Sequence, residues 1–187
     1  YLCTIEYTDR QRVVAEITEP IDALGEMDTD ITVYQGMCRT HRFEYVVQKC
    51  TELGVKAIVP LLTHRCETRE YSPSKLIRFY KIAREAAKQS GRSVIPEILP
   101  AVQLDGVGEH ALLLCPYELE RDTRLKPVLE AADARYVGIV IGPEGGFEPY
   151  EVEALAAKGG KVITPGSRIL RTETVATTLS ALIAFHQ

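Results

Sequence analysis

"YVGIVIGPEGGFEPYE", residues 136–151, decides the fold class. A run of apolar and β-branched residues ends in a glycine-rich turn, and "EPYEVEALAAKGG" then resumes at helical spacing. Strand, turn and helix in that order form the repeating unit of a parallel α/β sheet. Gly142, Gly145 and Gly146 let the turn take positive φ and approach a ligand closely. Pro143 stiffens it and removes one donor. The turn is also acidic, with Glu144, Glu148 and Glu151. A phosphate-binding loop would place lysine or arginine there, and both the dinucleotide fingerprint and the Walker pattern are missing. The expected ligand is therefore no polyphosphate. Bare peptide groups suit the edge of a neutral ring such as adenine; a tight turn without a ligand is the alternative.

The same alternation extends outward from this unit. "ITVYQG" reads as a strand, "HRFEYVVQKCTELG" as a helix stopped by Gly54, and "VKAIVPLL" as a buried strand. "SPSKLIRFYKIAREAAKQSG" is the clearest helix, with Ser72 to cap it, Pro73 in its first turn and Gly91 at its end. "ALLLC" is a short strand, "TRLKPVLEAAD" a helix weakened by Pro127, and "KVITPG" a last strand. "TETVATTLSALIAFHQ" is a final helix with Thr172 or Thr174 near its N-cap. Such a chain folds as a mainly parallel sheet covered on both faces, with ligands beyond the carboxyl ends of the strands. Three loops fall there: "CPYE", "GPEGGFE" and "TPGSRILRTET".

Residues 1–18 differ. They alternate in a strand-like way around the polar turn "DRQR" and read as a hairpin, either an edge of the main sheet or a remnant of a small β domain. "EPIDALGEMDTD" follows as linker. The chain opens at "YLCTIEY" without methionine, so a missing N-terminal portion is expected.

Composition narrows the partners. The 187 residues are 45% hydrophobic and 26% charged, enough for one good core. There is no apolar run of membrane-spanning length and no signal-peptide pattern. The five cysteines are odd in number and widely spaced, and neither they nor the histidines show metal-ligand spacing. A reducing cytoplasm, and no metal, are the expectations. The net charge of -4 hides an asymmetry: Arg39 to Arg92 holds 12 basic and 5 acidic residues. Lys75, Arg78, Lys81, Arg84 and Lys88 step along one helix, with Arg39, Arg42 and Arg92 flanking them. RNA is the anionic partner this pattern suggests; a solvated helix face is the plain alternative.

The stretch "PGSRILRTET" completes the picture. Gly166 permits a turn, Ile169 and Leu170 suit an apolar ring, and Arg168, Arg171 and Glu173 bring charge beside it. "GPEGGF" and "PGSRILRTETV" together resemble the signature pair of the RsmE-type ribosomal RNA (uracil-N3)-methyltransferases of the SPOUT (α/β-knot) superfamily. "QKCTELGVKAIVPL" and "KIAREAAKQSGR" extend the likeness from about Ile31 to the end.

That resemblance implies a trefoil-knotted methyltransferase domain over residues 29–187, preceded over 1–28 by the trailing part of a PUA-like β-barrel and a linker. It implies S-adenosylmethionine as cofactor, a homodimer, and a uridine of 16S rRNA in the small ribosomal subunit as target. Adenine would lie against the backbone of Leu114, Gly142, Ile169 and Leu170, with Pro143, Glu144, Gly145, Gly146, Gly166 and Thr174 completing the cofactor site. Arg171 and Glu173 are the favoured catalytic pair, Glu144 a further candidate base and Arg168 a further cation. Two departures stand out: "MCRT" at 37–40 replaces a Pro-Lys-Gly step, and "FEPYE" replaces F-S-x-x-E. The rival readings are a related enzyme methylating ribose or another base, and a non-catalytic RNA-binding protein.

Overall fold

In the computed structural model, residues 1–22, 25–132 and 135–186 are described. Ala23 and Leu24 of the expected linker, Asp133 at the end of an expected helix, and Gln187 lie outside them. The hairpin forms as β1 (Leu2–Thr8) and β2 (Val13–Glu19), antiparallel, with Asp9 Oδ1 accepting the Gln11 and Arg12 N–H groups at 2.7 and 2.9 Å. It is no edge of the main sheet but a separate two-stranded sheet with both faces exposed.

The rest alternates as the apolar pattern requires: β3 (Asp30–Gly36), α1 (Thr40–Glu52), β4 (Ala57–Leu61), α2 (Pro73–Ser90), β5 (Glu97–Ile98), β6 (Leu112–Pro116), α3 (Leu125–Glu130), β7 (Tyr136–Ile141), α4 (Pro149–Ala157), β8 (Lys161–Ile163) and α5 (Thr172–Phe185). Six strands form one parallel sheet in the order β5-β4-β3-β7-β6-β8. Every residue of β4 and β6 is buried, which is why these strands read as continuous apolar runs. Side chains still alternate between two cores. Ile31, Val33, Leu112, Leu114, Val137 and Ile139 join the layer under α1, α2 and α5, while Tyr34, Leu113, Cys115 and Val140 join the layer under α4. Phe43, Tyr71 and Phe79 pack ring against ring at 4.8–5.1 Å and lock α1 to α2.

Local signals behave as expected at most helix ends. Gly54 and Gly91 take positive φ at the ends of α1 and α2. Ser72 occupies the N-cap of α2, although its hydroxyl meets Ser74 instead of a helix N–H. Pro127 does not weaken α3: it sits in the first turn, where its missing donor costs nothing. At α5 the N-cap is Arg171, and Thr172 follows it as the first helical residue, near the N-cap as expected. Its hydroxyl is used across the fold, as the site requires.

Candidate functional site

β7, β6 and β8 are neighbours in the sheet and point the same way, so their carboxyl-end loops meet. Between them is a cavity of about 430 Å³, within the range of small-molecule sites. Its walls are residues 116–118 and 121 after β6, 141–147 after β7, and 164–166 and 168–172 after β8, closed by Arg42 and Val175. Buried Pro116, Ile141, Pro143 and Phe147 make part of the wall apolar. Ile169 is 81% exposed at the mouth.

Backbone contact holds the walls together. A Cβ on Gly36, at the end of β3, would lie 2.4 Å from Pro143 N and 2.6 Å from Gly142 C. Only glycine lets the tips of β3 and β7 touch. Thr172 Oγ1 donates to Gly142 O and accepts from Gln35 Nε2, both at 2.6 Å. That hydroxyl clamps the segment after β8 onto the tips of β3 and β7, and Gln35 is wholly buried behind it. Gly146 has φ +70, and a Cβ there would meet Glu118 Oε1 at 2.6 Å, so the β7 loop and the β6 loop also approach closely.

The acidity of the glycine-rich turn has structural causes. Glu148 is the N-cap of α4, and Glu151 completes a capping box by accepting Glu148 N–H at 2.8 Å. Glu151 also accepts His64 N–H at 2.8 Å. Arg65 grips Glu148 with two bonds of 2.9 and 3.0 Å and donates to Gly145 O, pinning the loop after β4 to the turn. Its hydrogen bonds hold the Glu148 carboxyl below its usual range. Glu144 Oε1 accepts Arg39 N–H at 3.1 Å at the start of α1.

Most of the sequence-derived residues converge. Gly142, Pro143, Glu144, Gly145, Gly146, Gly166, Ile169, Leu170, Arg168 and Arg171 all line the cavity. Glu173 lies beside it, 3.7 Å from Arg42. Leu114 and Thr174 do not. Leu114 is wholly buried inside β6, two residues before the wall begins, and Thr174 is exposed on α5. Arg42 leaves the expected RNA surface: only 21% of its side chain is exposed, and it stands 3.7 Å from both Glu144 and Glu173. Arg92 is a clear correction. Its side chain is 3% exposed, paired with Glu26 at 2.6 Å and donating to Thr51 O and Val55 O, so all three of its nitrogens are engaged within the fold and the group is turned away from solvent phosphate. Tyr117, Glu118, Arg121 and the Gln35–Thr172 clamp escape a sequence reading, apart from the hint that "CPYE" ends a strand.

The α2 row is exposed but partly neutralised, since Arg78 pairs with Glu44 and Arg84 and Lys88 with Glu85. Burial pushes the thiols of Cys38 and Cys115 up to about 12, keeping them unreactive. Among the described residues no cluster of His, Cys, Asp or Glu could hold a metal ion, and no helix is long and apolar enough to cross a membrane.

A parallel α/β sheet with a mixed apolar and charged cavity at its carboxyl ends has the layout in which such folds take small ligands. The chain matches the RNA methyltransferase domain family over residues 25–184, and it belongs to that family. Its relatives include ribosomal RNA small subunit methyltransferase E of Aquifex aeolicus, 31% identical over 98% of this chain and 80% of the relative. The protein of the same name from Mesomycoplasma hyopneumoniae is 33% identical over 87% and 72%. Among solved structures, a putative methyltransferase from Legionella pneumophila in complex with S-adenosylmethionine superposes with a TM-score of 0.87 at 29% identity, covering 98% of this chain and 77% of that one. Ribosomal RNA small subunit methyltransferase E from Neisseria gonorrhoeae, bound to S-adenosylmethionine, superposes at 0.80 with 27% identity over 98% and 77%.

Proposed function

We propose that this chain is an S-adenosylmethionine-dependent methyltransferase acting on N3 of a uridine in 16S ribosomal RNA. The observation that carries the reading is the meeting of three carboxyl-end loops in one cavity, in a chain so similar to small-subunit rRNA methyltransferases. The residues present fit the cofactor. Peptide groups of Gly142, Gly145 and Leu170 suit an adenine edge, Ile141 and Leu170 its faces, and Glu118, Arg121 and Arg168 the ribose hydroxyls and zwitterionic tail. When bound, that cofactor supplies an activated methyl group.

The chain's own residues must then deal with a proton. Uridine N3 is a poor nucleophile until its proton leaves, so a base and a cation for the developing anion are needed. Glu173 is the better base, because Glu144 is already engaged with the Arg39 N–H. Arg171 lines the cavity without an ion pair among the described residues and supplies the cation.

The finer architecture belongs to the same reading. The segment after β8 crosses the carboxyl end of β6 to reach α5, which packs on α1, β3 and β7; this crossing suits a trefoil knot. Residues 29–187 form the catalytic domain, and the exposed β1–β2 hairpin within 1–28 is the trailing part of a PUA-like barrel. Exposed Leu182 and Phe185 on α5 suit a homodimer contact. Arg78, Lys81, Arg84, Lys88 and Arg39 face solvent, Lys75 is half-buried against Tyr71, and the row is offered to the RNA backbone. A cytoplasmic location follows from this substrate.

The test is methyl transfer to undermethylated small ribosomal subunits with product analysis. N3-methyluridine supports the proposal. A 2′-O-methyl product, or no transfer despite cofactor binding, sinks it in favour of a related enzyme or a non-catalytic RNA binder.

A further inference from the structure

Two buried polar atoms at the cavity's edge have no hydrogen-bond partner among the described residues: Arg42 Nε and Glu173 Oε2. Their side chains are 21% and 14% exposed. Arg42 Nη1 stands 3.7 Å from Glu173 Oε2, and Arg42 Nε stands 3.7 Å from Glu144 Oε1. Both separations are ion-pair distances too long for a hydrogen bond. A buried polar group without a hydrogen bond costs about 1–3 kcal/mol, so each one in a native structure calls for a reason, and a catalytic role is one such reason.

The three side chains come from three segments: the first turn of α1, the loop after β7 and the first turn of α5. Each is fixed from behind. Phe43, Val46 and Val47 bury the inner face of α1, the Arg39 N–H holds Glu144, and the Thr172 hydroxyl anchors the start of α5. Two carboxylates stand against the one Arg42 guanidinium, so that guanidinium carries no unneutralised charge to offer a phosphate.

We propose that Arg42 is a positioning residue for Glu173 and not a ligand of the RNA backbone. It keeps two like charges apart at fixed positions and, facing Glu173 Oε2 at 3.7 Å without hydrogen-bonding it, holds that carboxylate beside the cavity, ready to take the proton of an imide-type base. This rests on the function proposed above, and it assigns Arg42 a part in the chemical step that acts only through Glu173.

Arg42→Met, Arg42→Lys, Glu173→Gln and the Arg42→Met/Glu173→Gln double variant test it, with kcat, KM for RNA, salt dependence of RNA binding, calorimetry with S-adenosylmethionine and thermal midpoints. Arg42→Met should lower kcat about 10²-fold, the lower bound of a lost acid–base contribution, and cost almost nothing further once Glu173 is Gln. KM for RNA, the salt slope and cofactor affinity should stay unchanged. Arg42→Lys should recover part of kcat, because an ammonium can meet one carboxylate but not span two; its behaviour decides the matter should Arg42→Met fail to fold. A weaker RNA affinity with a salt slope reduced by about 1 would mark a phosphate contact and overturn the proposal. So would an equal loss in the Glu173→Gln background. If the wild-type chain transfers no methyl group at all, the function falls separately. The thermal midpoints of the cycle then still report on the pairing, and additive midpoints refute it.

Discussion

The outer face of α2 and the carboxyl-end loops are both rich in arginine and lysine, yet they amount to different things. On α2 the cations step along an open helix surface, and several meet a glutamate on their own or the next helix. At the carboxyl ends, Arg42, Arg121, Arg168 and Arg171 come from three segments and converge on one cavity. Composition counts both regions alike. Convergence makes one of them a site, because charges that share a partly buried volume interact through a lower dielectric than charges on an open helix.

Arg92 is the sharpest way to break that contrast. By charge alone it belongs with the α2 row, but it is buried against Glu26 and two carbonyls. Arg92→Ala should destabilise the fold by about 3 kcal/mol, the lower end for breaking a buried ion pair, as read by chemical denaturation; a loss confined to RNA affinity would return Arg92 to the surface class. Arg171→Ala should instead leave the thermal midpoint in place and cut methyl transfer by about 10²–10³-fold, as for removal of one stabilising donor. Full activity in that variant would take Arg171 out of the site. Lys81→Ala should reduce the salt slope of RNA binding by about 1 without altering folding. Arg78→Ala should change stability by less than about 1 kcal/mol, because its pair with Glu44 is an exposed one.

The smallest expected effect lies at the opposite end of the sheet. Burial holds the His110 imidazole below its usual range, beside Tyr34 Oη at 3.0 Å. A histidine depressed by folding favours the native state above its unfolded pKa of about 6.5 and withdraws that contribution as pH falls below it. For Glu26, burial raises the carboxyl and the Arg92 pair more than offsets this, leaving it lowered. Its contribution is complete above about 4.5 and is lost on further acidification. Denaturation followed from pH 7 to 3 should show both losses, and His110→Gln should remove the upper one alone.

The two regions also explain how far the residues could be read in order. "GPEGG" and "PGSRILRTET" are legible as loops at the carboxyl ends of strands because glycine, proline and strand ends are local signals, and the structure brings both to one cavity. The start of α5 is legible from its threonines, but the use of Thr172 is not, because a threonine there normally caps its own helix. Thr172 reaches Gly142 and Gln35 instead, which lie 30 and 137 residues away. The long arginines were least legible: Arg42 and Arg92 look alike in sequence, and their fates differ with partners far along the chain.

By itself the sequence determined the order of strands and helices, the parallel sheet and the loops at its carboxyl ends. These follow from periodicity and turn chemistry within about ten residues. Tertiary structure alone decided which glutamates are spent on caps and clips, which arginine serves the cavity and which the core, and that Leu114 and Thr174 stand aside. A long charged side chain takes its role from whatever the folded chain brings within reach of its tip, and that neighbour is seldom close in sequence.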